Sequence, residues 1–438
     1  MKQKGLILIF FMILMLAMVP VGASTVFADT SGYGAAEEES SGYGAAEEES
    51  SGYGAAEEES SGYGSEPAPA KVEAKKPQKK GSNTGMFIIT ALASGCALGW
   101  VLQRGRFCMN SAFRDTIFIN DLTYMHAYLL ALIIAIVGAN LLKDLNIIKL
   151  GAQPFWPVAH IVGGYIFGLG IVLAGGCGSG IWYRVGEGLL ASWVAVLGFF
   201  IGIGTMMSGI LEPVYVASRK IILLGSKPTL YQAVGATSMT AKWGLIAVIA
   251  VAILLYIRKS GPLKFGKQKG YYWSVTGVLI GLIAVAAFWL SYQFGGGFAR
   301  GLSFTTPTIE FFNTITRANA KPTIFPLMEI FGYIKTTWGV FFIVGVPLGA
   351  YLSARGLNEF SWKCPPAKEL LTVFGGSLMM GLGATMALGC NMGQGITGVA
   401  TLSIGSIVAT IAIILGNWTM VYFKFIKPMQ DMDLDDDE

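Results

Sequence analysis

Nine apolar stretches, each long enough to cross a lipid bilayer as a helix, divide the chain after residue 84. Within a bilayer every backbone polar group must be paired inside the protein, so stretches of ~20 apolar residues fold as spanning helices. Only 13% of the residues are charged, about half the share typical of soluble domains. We therefore predict an all-α polytopic membrane protein. The predicted spans are 85–102, 122–142, 158–175, 189–208, 242–257, 271–292, 336–353, 370–389 and 403–423.

The sequence before the first span has a different character. Residues 1–28 have a basic start, an apolar stretch and a small-residue cleavage site, which predicts a signal peptide; an uncleaved anchor helix is the alternative interpretation. Residues 29–84 contain three tandem Ser-Gly-Tyr-Gly-Ala-Ala-Glu-Glu-Glu-Ser repeats and a Pro/Lys-rich linker, and so predict a disordered tail. A membrane domain is expected over 85–427, followed by an acidic tail over 428–438.

Lysine and arginine residues predict the orientation. They concentrate in the connections that would face the cytoplasm if the N-terminal tail lies outside the cell membrane and the C-terminus lies in the cytoplasm. The net charge of +4 is small and lies in loops, and gives no indication of nucleic-acid binding.

One ten-residue pattern, Gly-Leu-Gly-x-x-x-Ala-x-Gly-Cys, occurs twice, at 168–177 and 381–390. In each copy a cysteine follows a glycine (Gly176 or Gly389) at the end of an apolar stretch, and more glycines come after it. Nine spans would give the two copies opposite directions, which predicts inverted repeats with re-entrant half-helices. The alternative is that these glycines only allow close helix packing. If the half-helices are re-entrant, Cys177 and Cys390 should approach each other at the centre.

Cysteine spacing argues against metal and disulfide sites. The chain has five cysteines, no Cys-x-x-Cys motif and only two histidines. Zinc and iron–sulfur sites need clustered ligands, so we predict free thiols, no metal and no cofactor. Cys96 and Cys364 are interpreted as packing and incidental residues, and His126 and His160 as interfacial ones.

A third cysteine, Cys108, lies in a polar segment attached to the first span. Arg104, Arg106 and Arg114 surround it in sequence, and guanidinium groups are suited to oxyanions. An ordinary cytoplasmic positive loop is the competing interpretation.

Polar residues also follow the other two cysteines. Arg184 and Glu187 come shortly after Cys177 at a helical spacing, either as an ion pair or beside a pathway. Asn391 and Gln394 follow Cys390 and offer amide groups. A helix N-terminus in this region would favour an anion.

These motifs resemble those of the YeeE/YedE sulfur-transport family, particularly its thiosulfate-transporter members. The similarity covers about residues 85–425 and rests on Gln-Arg-Gly-Arg-Phe-Cys108, Gly-Cys177-Gly-Ser-Gly and Gly-Cys390-Asn-Met-Gly-Gln-Gly. It implies a helical hourglass that imports thiosulfate, with the three cysteines as successive sites along the substrate path. It also implies a cytoplasmic sulfurtransferase or sulfur-carrier partner, and some relatives are linked to selenium compounds.

Three functions follow as hypotheses. The first is uptake of thiosulfate or a related sulfur-containing ion, without enzymatic activity, along weakly donating thiols. The second is a membrane thiol oxidoreductase that uses Cys177 and Cys390 as a redox pair. The third is a passive anion channel. The sequence has no Gly-x-x-x-x-Gly-Lys-Ser/Thr motif for ATP.

Overall fold

Long helices, several of them interrupted, make up nearly all of the described chain. A computed structural model describes residues 84–221, 228–236, 238–260, 270–316, 328–330 and 334–435. The signal peptide predicted at 1–28, nearly all of the tail predicted at 29–84, and the last three residues of the acidic tail lie outside the described residues. Helix α15 continues into the part of 428–438 that is described.

The helices are numbered in chain order. They are α1 (Thr84–Gly105), α2 (Met109–Phe118), α3 (Thr123–Asp144), α4 (Pro157–Leu173), α5 (Gly178–Gly186), α6 (Leu190–Met207), α7 (Glu212–Ala217), α8 (Leu230–Ala233), α9 (Met239–Ser260), α10 (Trp273–Phe294), α11 (Thr305–Thr316), α12 (Trp338–Gly356), α13 (Ala367–Met386), α14 (Ile404–Val421) and α15 (Lys427–Asp435). Two π-helical segments, π1 (Asn391–Gly398) and π2 (Tyr422–Ile426), complete the set. Strands β1 (Met328–Ile330) and β2 (Ile334–Thr336) form a small antiparallel hairpin.

The prediction of an all-α polytopic membrane protein is confirmed. Within the described ranges, nine segments are long and apolar enough to cross a membrane. Three of them extend through a break into a short helix: Thr84–Phe118, Pro157–Gly186 and Ala367–Gly398. Ile404–Asp431 also runs beyond its predicted span, because α14 continues into π2 and α15.

The order of helices repeats. A long helix, a short helix, a long helix, a broken helix and a long helix occur first as α1, α2, α3, α4–α5 and α6, and again as α10, α11, α12, α13–π1 and α14. The packing between the repeats is also reciprocal. The first helix of each repeat packs on the third helix of the other, as in α1 with α12 and α10 with α3. The last helix of each repeat packs on the broken helix of the other, as in α6 with α13 and α14 with α4. Helix α2 contacts α4 and α14, while its counterpart α11 contacts α13 and α6. Helix α9 lies between the two repeats in sequence.

The central helices α4 and α13 run antiparallel, which makes the two repeats inverted relative to each other. Gly376 in α13 faces Leu173 at the end of α4, where an added Cβ would lie 2.4 Å from the Leu173 Cβ. Gly163 in α4 faces Ala387, just beyond the end of α13, where an added Cβ would lie 2.7 Å from the Ala387 N. The C-terminal end of each helix therefore lies beside a residue between the two ends of the other helix. Each break accordingly lies inside the bundle. The glycines allow this close approach of backbones.

Candidate functional site

The three cysteines of the predicted path share one local structure. Cys108, Cys177 and Cys390 each precede the first residue of a short helix (α2, α5 and π1), with an extended backbone. Two positions before each cysteine the backbone is left-handed: φ is 48° at Arg106, 70° at Gly175 and 58° at Leu388. A left-handed residue ends a helix and reverses the chain, so each thiol is brought back into the bundle.

Cys108 and Cys177 are in direct contact, and both side chains are fully buried. Their Sγ atoms are 3.6 Å apart, and Cys177 Sγ lies 3.2 Å from the Ser179 hydroxyl. A Cβ added to Gly180 would lie 2.8 Å from Cys108 Sγ and 3.8 Å from Cys177 Sγ. The glycine in the first turn of α5 therefore lets both thiols pack against the helix backbone, and any larger residue would collide with Cys108 Sγ.

Cys390 reaches the same turn of α5 from the second repeat. A Cβ on Gly178 would lie 3.7 Å from Cys390 Sγ and 3.2 Å from the Phe304 Cβ. Gly178 directly follows Cys177, so the expected approach of Cys177 and Cys390 inside the bundle is present. The closest thiol neighbour of Cys177 is nevertheless Cys108, at the distance given above.

Four short helices start around this place. Cys108, just before α2, and Cys390, just before π1, both contact the first turn of α5. Phe304, which contacts the same turn, immediately precedes α11. A Cβ on Gly393 in π1 would lie 3.1 Å from Ser303 Oγ, and one on Gly395 would lie 3.0 Å from Met109 Cε in α2. The N-terminal turns of α2, α5, α11 and π1 thus form a closed ring. Helix N-termini carry partial positive charge and unpaired N–H groups, which favours an anion.

Asn391 is the least satisfied polar residue of the ring. It follows Cys390 directly and is 1% exposed, yet neither its amide nitrogen nor its amide oxygen has a hydrogen-bond partner. The Thr305 hydroxyl, in the first residue of α11, is also buried without a partner. Unpaired buried polar groups cost ~1–3 kcal/mol each, so their presence indicates a site that receives a polar ligand or water.

Arg184 and Gln394 hold the two breaks in a similar way. Arg184 Nη1 donates to the Gly175 carbonyl at 2.7 Å, passing beside Gly176, where an added Cβ would lie 3.3 Å away. Gln394 Nε2 donates to the Ala387 carbonyl and to Gln153 Oε1. Both side chains satisfy carbonyls left unpaired at the end of the preceding long helix.

Gly389 lies in the second break, and Glu187 lies at the far end of the short helix that follows the first break. An added Cβ on Gly389 would lie 2.9 Å from the Gln394 Cγ, so a glycine leaves room for that side chain. Glu187 follows the last residue of α5. Burial raises the pKa of its carboxyl, and the Arg184 guanidinium opposes that shift.

The remaining predicted arginines are engaged elsewhere. Arg106 pairs with Glu359 at 2.8 Å and its side chain is 69% exposed. Arg104 donates to the Ser353 hydroxyl, and Arg114 pairs with its neighbour Asp115 in α2. These contacts place the three guanidinium groups around α1 and α2 rather than among the thiols.

Sequence reasoning missed Phe304, Leu388 and Ser179. The order of the repeats carries the signal for Phe304, since α11 occupies the place of α2. Leu388 has the same offset from Cys390 as Gly175 has from Cys177. In the described part of the chain, no group of three metal-ligating side chains is placed to hold an ion.

Two inverted helical repeats around a buried ring of thiols and helix N-termini define the architecture of a multi-pass membrane protein. The chain belongs to the Sulphur transport family, whose model matches residues 104–419. It is 32% identical to the thiosulfate transporter TsuA of Escherichia coli over 78% of this chain and 96% of that protein. It is 34% identical to the thiosulfate transporter TsuA of Spirochaeta thermophila over 77% of this chain and 99% of that protein. The probable transporter YedE of Escherichia coli matches over 26% of this chain, with 35% identity.

Proposed function

We propose that this protein imports thiosulfate, or a closely related sulfur-containing anion, across the cytoplasmic membrane through the ring that contains Cys108, Cys177 and Cys390. The observation that carries the proposal is the convergence of three buried thiols, each at the start of a short helix, on one place between two inverted repeats. The naming of two extensively similar relatives as thiosulfate transporters supports the same substrate.

The two ends of a thiosulfate ion need different partners. Its sulfonate oxygens carry most of the charge and are suited to helix N-termini and the Asn391 amide. Its terminal sulfur is soft and weakly hydrated, and a thiol is a correspondingly weak hydrogen-bond donor. Because a conducting site must bind well enough to admit the ion and weakly enough to release it, weak donors in succession suit passage.

The inner end of the path is assigned by charge. With the N-terminal tail outside and the C-terminus in the cytoplasm, Arg104 and Arg106 lie at the cytoplasmic end, because α1 ends there. A cytoplasmic sulfurtransferase or sulfur-carrier protein would consume the imported ion and keep its inward gradient. No step in this scheme needs catalysis by the protein itself.

The test is thiosulfate uptake by cells that lack other thiosulfate transport. Replacing Cys108, Cys177 or Cys390 with alanine should abolish growth on thiosulfate as sole sulfur source, with membrane levels of the protein unchanged. Cys96→Ala and Cys364→Ala are matched controls: Cys364 is exposed, Cys96 is partly buried, and both variants should grow normally. Normal growth of all three ring variants would contradict the proposal.

Three further measurements separate the alternatives. A thiol oxidoreductase predicts a Cys177–Cys390 disulfide in the resting protein and unimpaired uptake in the alanine variants. A passive channel predicts equal flux of sulfate and thiosulfate. A selenium-compound transporter predicts that selenosulfate competes with thiosulfate more strongly than unlabelled thiosulfate does.

A further inference from the structure

The two repeats differ at one position of the ring. By the order of elements, the residue before α11 in the second repeat corresponds to the residue before α2 in the first. In the first repeat that residue is Cys108; in the second it is Phe304. Three of the four short helices therefore begin after a thiol, and the fourth begins after an aromatic ring.

Phe304 lies beside Cys390 at the first turn of α5. Its Cβ and Cys390 Sγ approach the same point on Gly178, at 3.2 Å and 3.7 Å from an added Cβ. The side chain is fully buried and its ring packs at 6.1 Å from the ring of Phe342 in α12. Ser303, its predecessor, lies against Gly393 in π1, so the loop before α11 is held on both sides.

The same loop is fixed further away by a buried ion pair. Arg300 Nη2 lies 2.8 Å from both carboxylate oxygens of Glu310 in α11, and Arg300 and Glu310 are 7% and 2% exposed. Arg300 also bonds to the Thr337 hydroxyl at the start of α12. The ion pair therefore holds the loop that carries Phe304 in a fixed position, as a residue that determines selectivity requires.

We infer that Phe304 is the specificity-determining residue of the ring, an apolar wall that strips water from the passing ion and so excludes sulfate. This deepens the proposed function and rests on it. Sulfate presents four strongly hydrated oxygens, and an apolar constriction offers nothing to replace their water. Thiosulfate can turn its weakly hydrated sulfur toward the phenyl group of Phe304 and the thiols, while its oxygens stay with the helix N-termini.

The experiment compares initial rates of radiolabelled thiosulfate and sulfate uptake into proteoliposomes. The purified proteins are wild type, Phe304→Leu, Phe304→Ala and Phe304→Cys, with Phe199→Ala in α6 as the matched control for loss of a buried ring. Wild type and Phe304→Leu should prefer thiosulfate to a similar degree. Phe304→Ala and Phe304→Cys should lower the thiosulfate-to-sulfate ratio roughly tenfold or more, mainly by admitting sulfate.

The control and the second small variant keep the test decisive. Because a cysteine fits the corresponding place in the first repeat, Phe304→Cys should fold even if Phe304→Ala does not. A role in packing alone predicts that Phe199→Ala changes the ratio as much as the Phe304 variants, or that no variant changes it; either result overturns the inference. A wild-type protein that carries thiosulfate no faster than empty liposomes contradicts the proposed function itself.

Discussion

Gly180→Ala should stop transport while leaving the protein folded. Gly180 lies in the first turn of α5, and its added methyl group would lie 2.8 Å from Cys108 Sγ. Comfortable contacts between heavy atoms of this kind begin near ~3.5 Å, so the overlap is about 0.7 Å. The Cys108 side chain would have to turn away, which breaks its 3.6 Å contact with Cys177.

The cost to stability should be small. Overpacking of a close-packed site costs ~1–3 kcal/mol, and replacing glycine by alanine inside a helix returns about 0.5–1 kcal/mol. The net loss of roughly 0–2.5 kcal/mol leaves a protein that can be purified and reconstituted. Uptake of labelled thiosulfate into proteoliposomes should fall at least tenfold, measured beside the thermal unfolding temperature.

Gly375→Ala is the matched control. Gly375 also lies inside a helix, α13, but an added Cβ there meets no atom within 4 Å. This variant should transport at the wild-type rate and unfold at the same or a slightly higher temperature. If Gly180→Ala transports as fast as wild type, the contact between Cys108 and Cys177 is not part of the path, and the reasoning is refuted.

Four other substitutions test three separate parts of the structure, with thermal unfolding as the common measurement. Asn391→Leu removes two unpaired buried groups, so it should raise the unfolding temperature yet abolish uptake; unimpaired uptake would exclude Asn391 from the ion's route. Leu388→Gly should be neutral or stabilising, because a left-handed non-glycine residue costs ~1–2 kcal/mol, while Gly175→Leu should be destabilising; effects of equal sign would be evidence against the shared geometry. Glu310→Ala takes the carboxylate from the buried Arg300 and should cost about 3–5 kcal/mol, so an unchanged unfolding temperature would show that the pair does not fix α11.

The positions of the spans were predictable because every residue that faces the bilayer must be mostly apolar and must have its backbone groups paired within a helix. Apolar length alone locates nine crossing segments, and the repeated Gly-Cys pattern indicates their inverted arrangement. The glycines after each cysteine also favoured the re-entrant arrangement, in which Cys177 and Cys390 approach each other inside the bundle. Glycine permits close helix packing and a reversal of the chain, and the sequence shows directly where the glycines are.

The contact between Cys108 and Cys177 was not predictable in the same way. The two residues are 69 positions apart and belong to elements whose pairing depends on packing across the first repeat. Charge near Cys108 suggested arginine at the site, whereas Arg106 pairs with Glu359 on a distant loop. Phe304 escaped notice because a cysteine pattern directs attention to cysteines, and only the order of helices reveals the position where a thiol is replaced.

The most direct test of the account is the location of the bound ion. Selenosulfate has the shape and charge of thiosulfate, and its selenium gives an anomalous X-ray signal that identifies one atom. Crystals of the protein soaked in selenosulfate should show one selenium peak within about 4 Å of the thiol sulfur atoms of Cys177 and Cys390, the outer limit of ordinary contact. A selenium peak elsewhere in the bundle, with the ring empty, would contradict the claim that the ion passes between the three thiols.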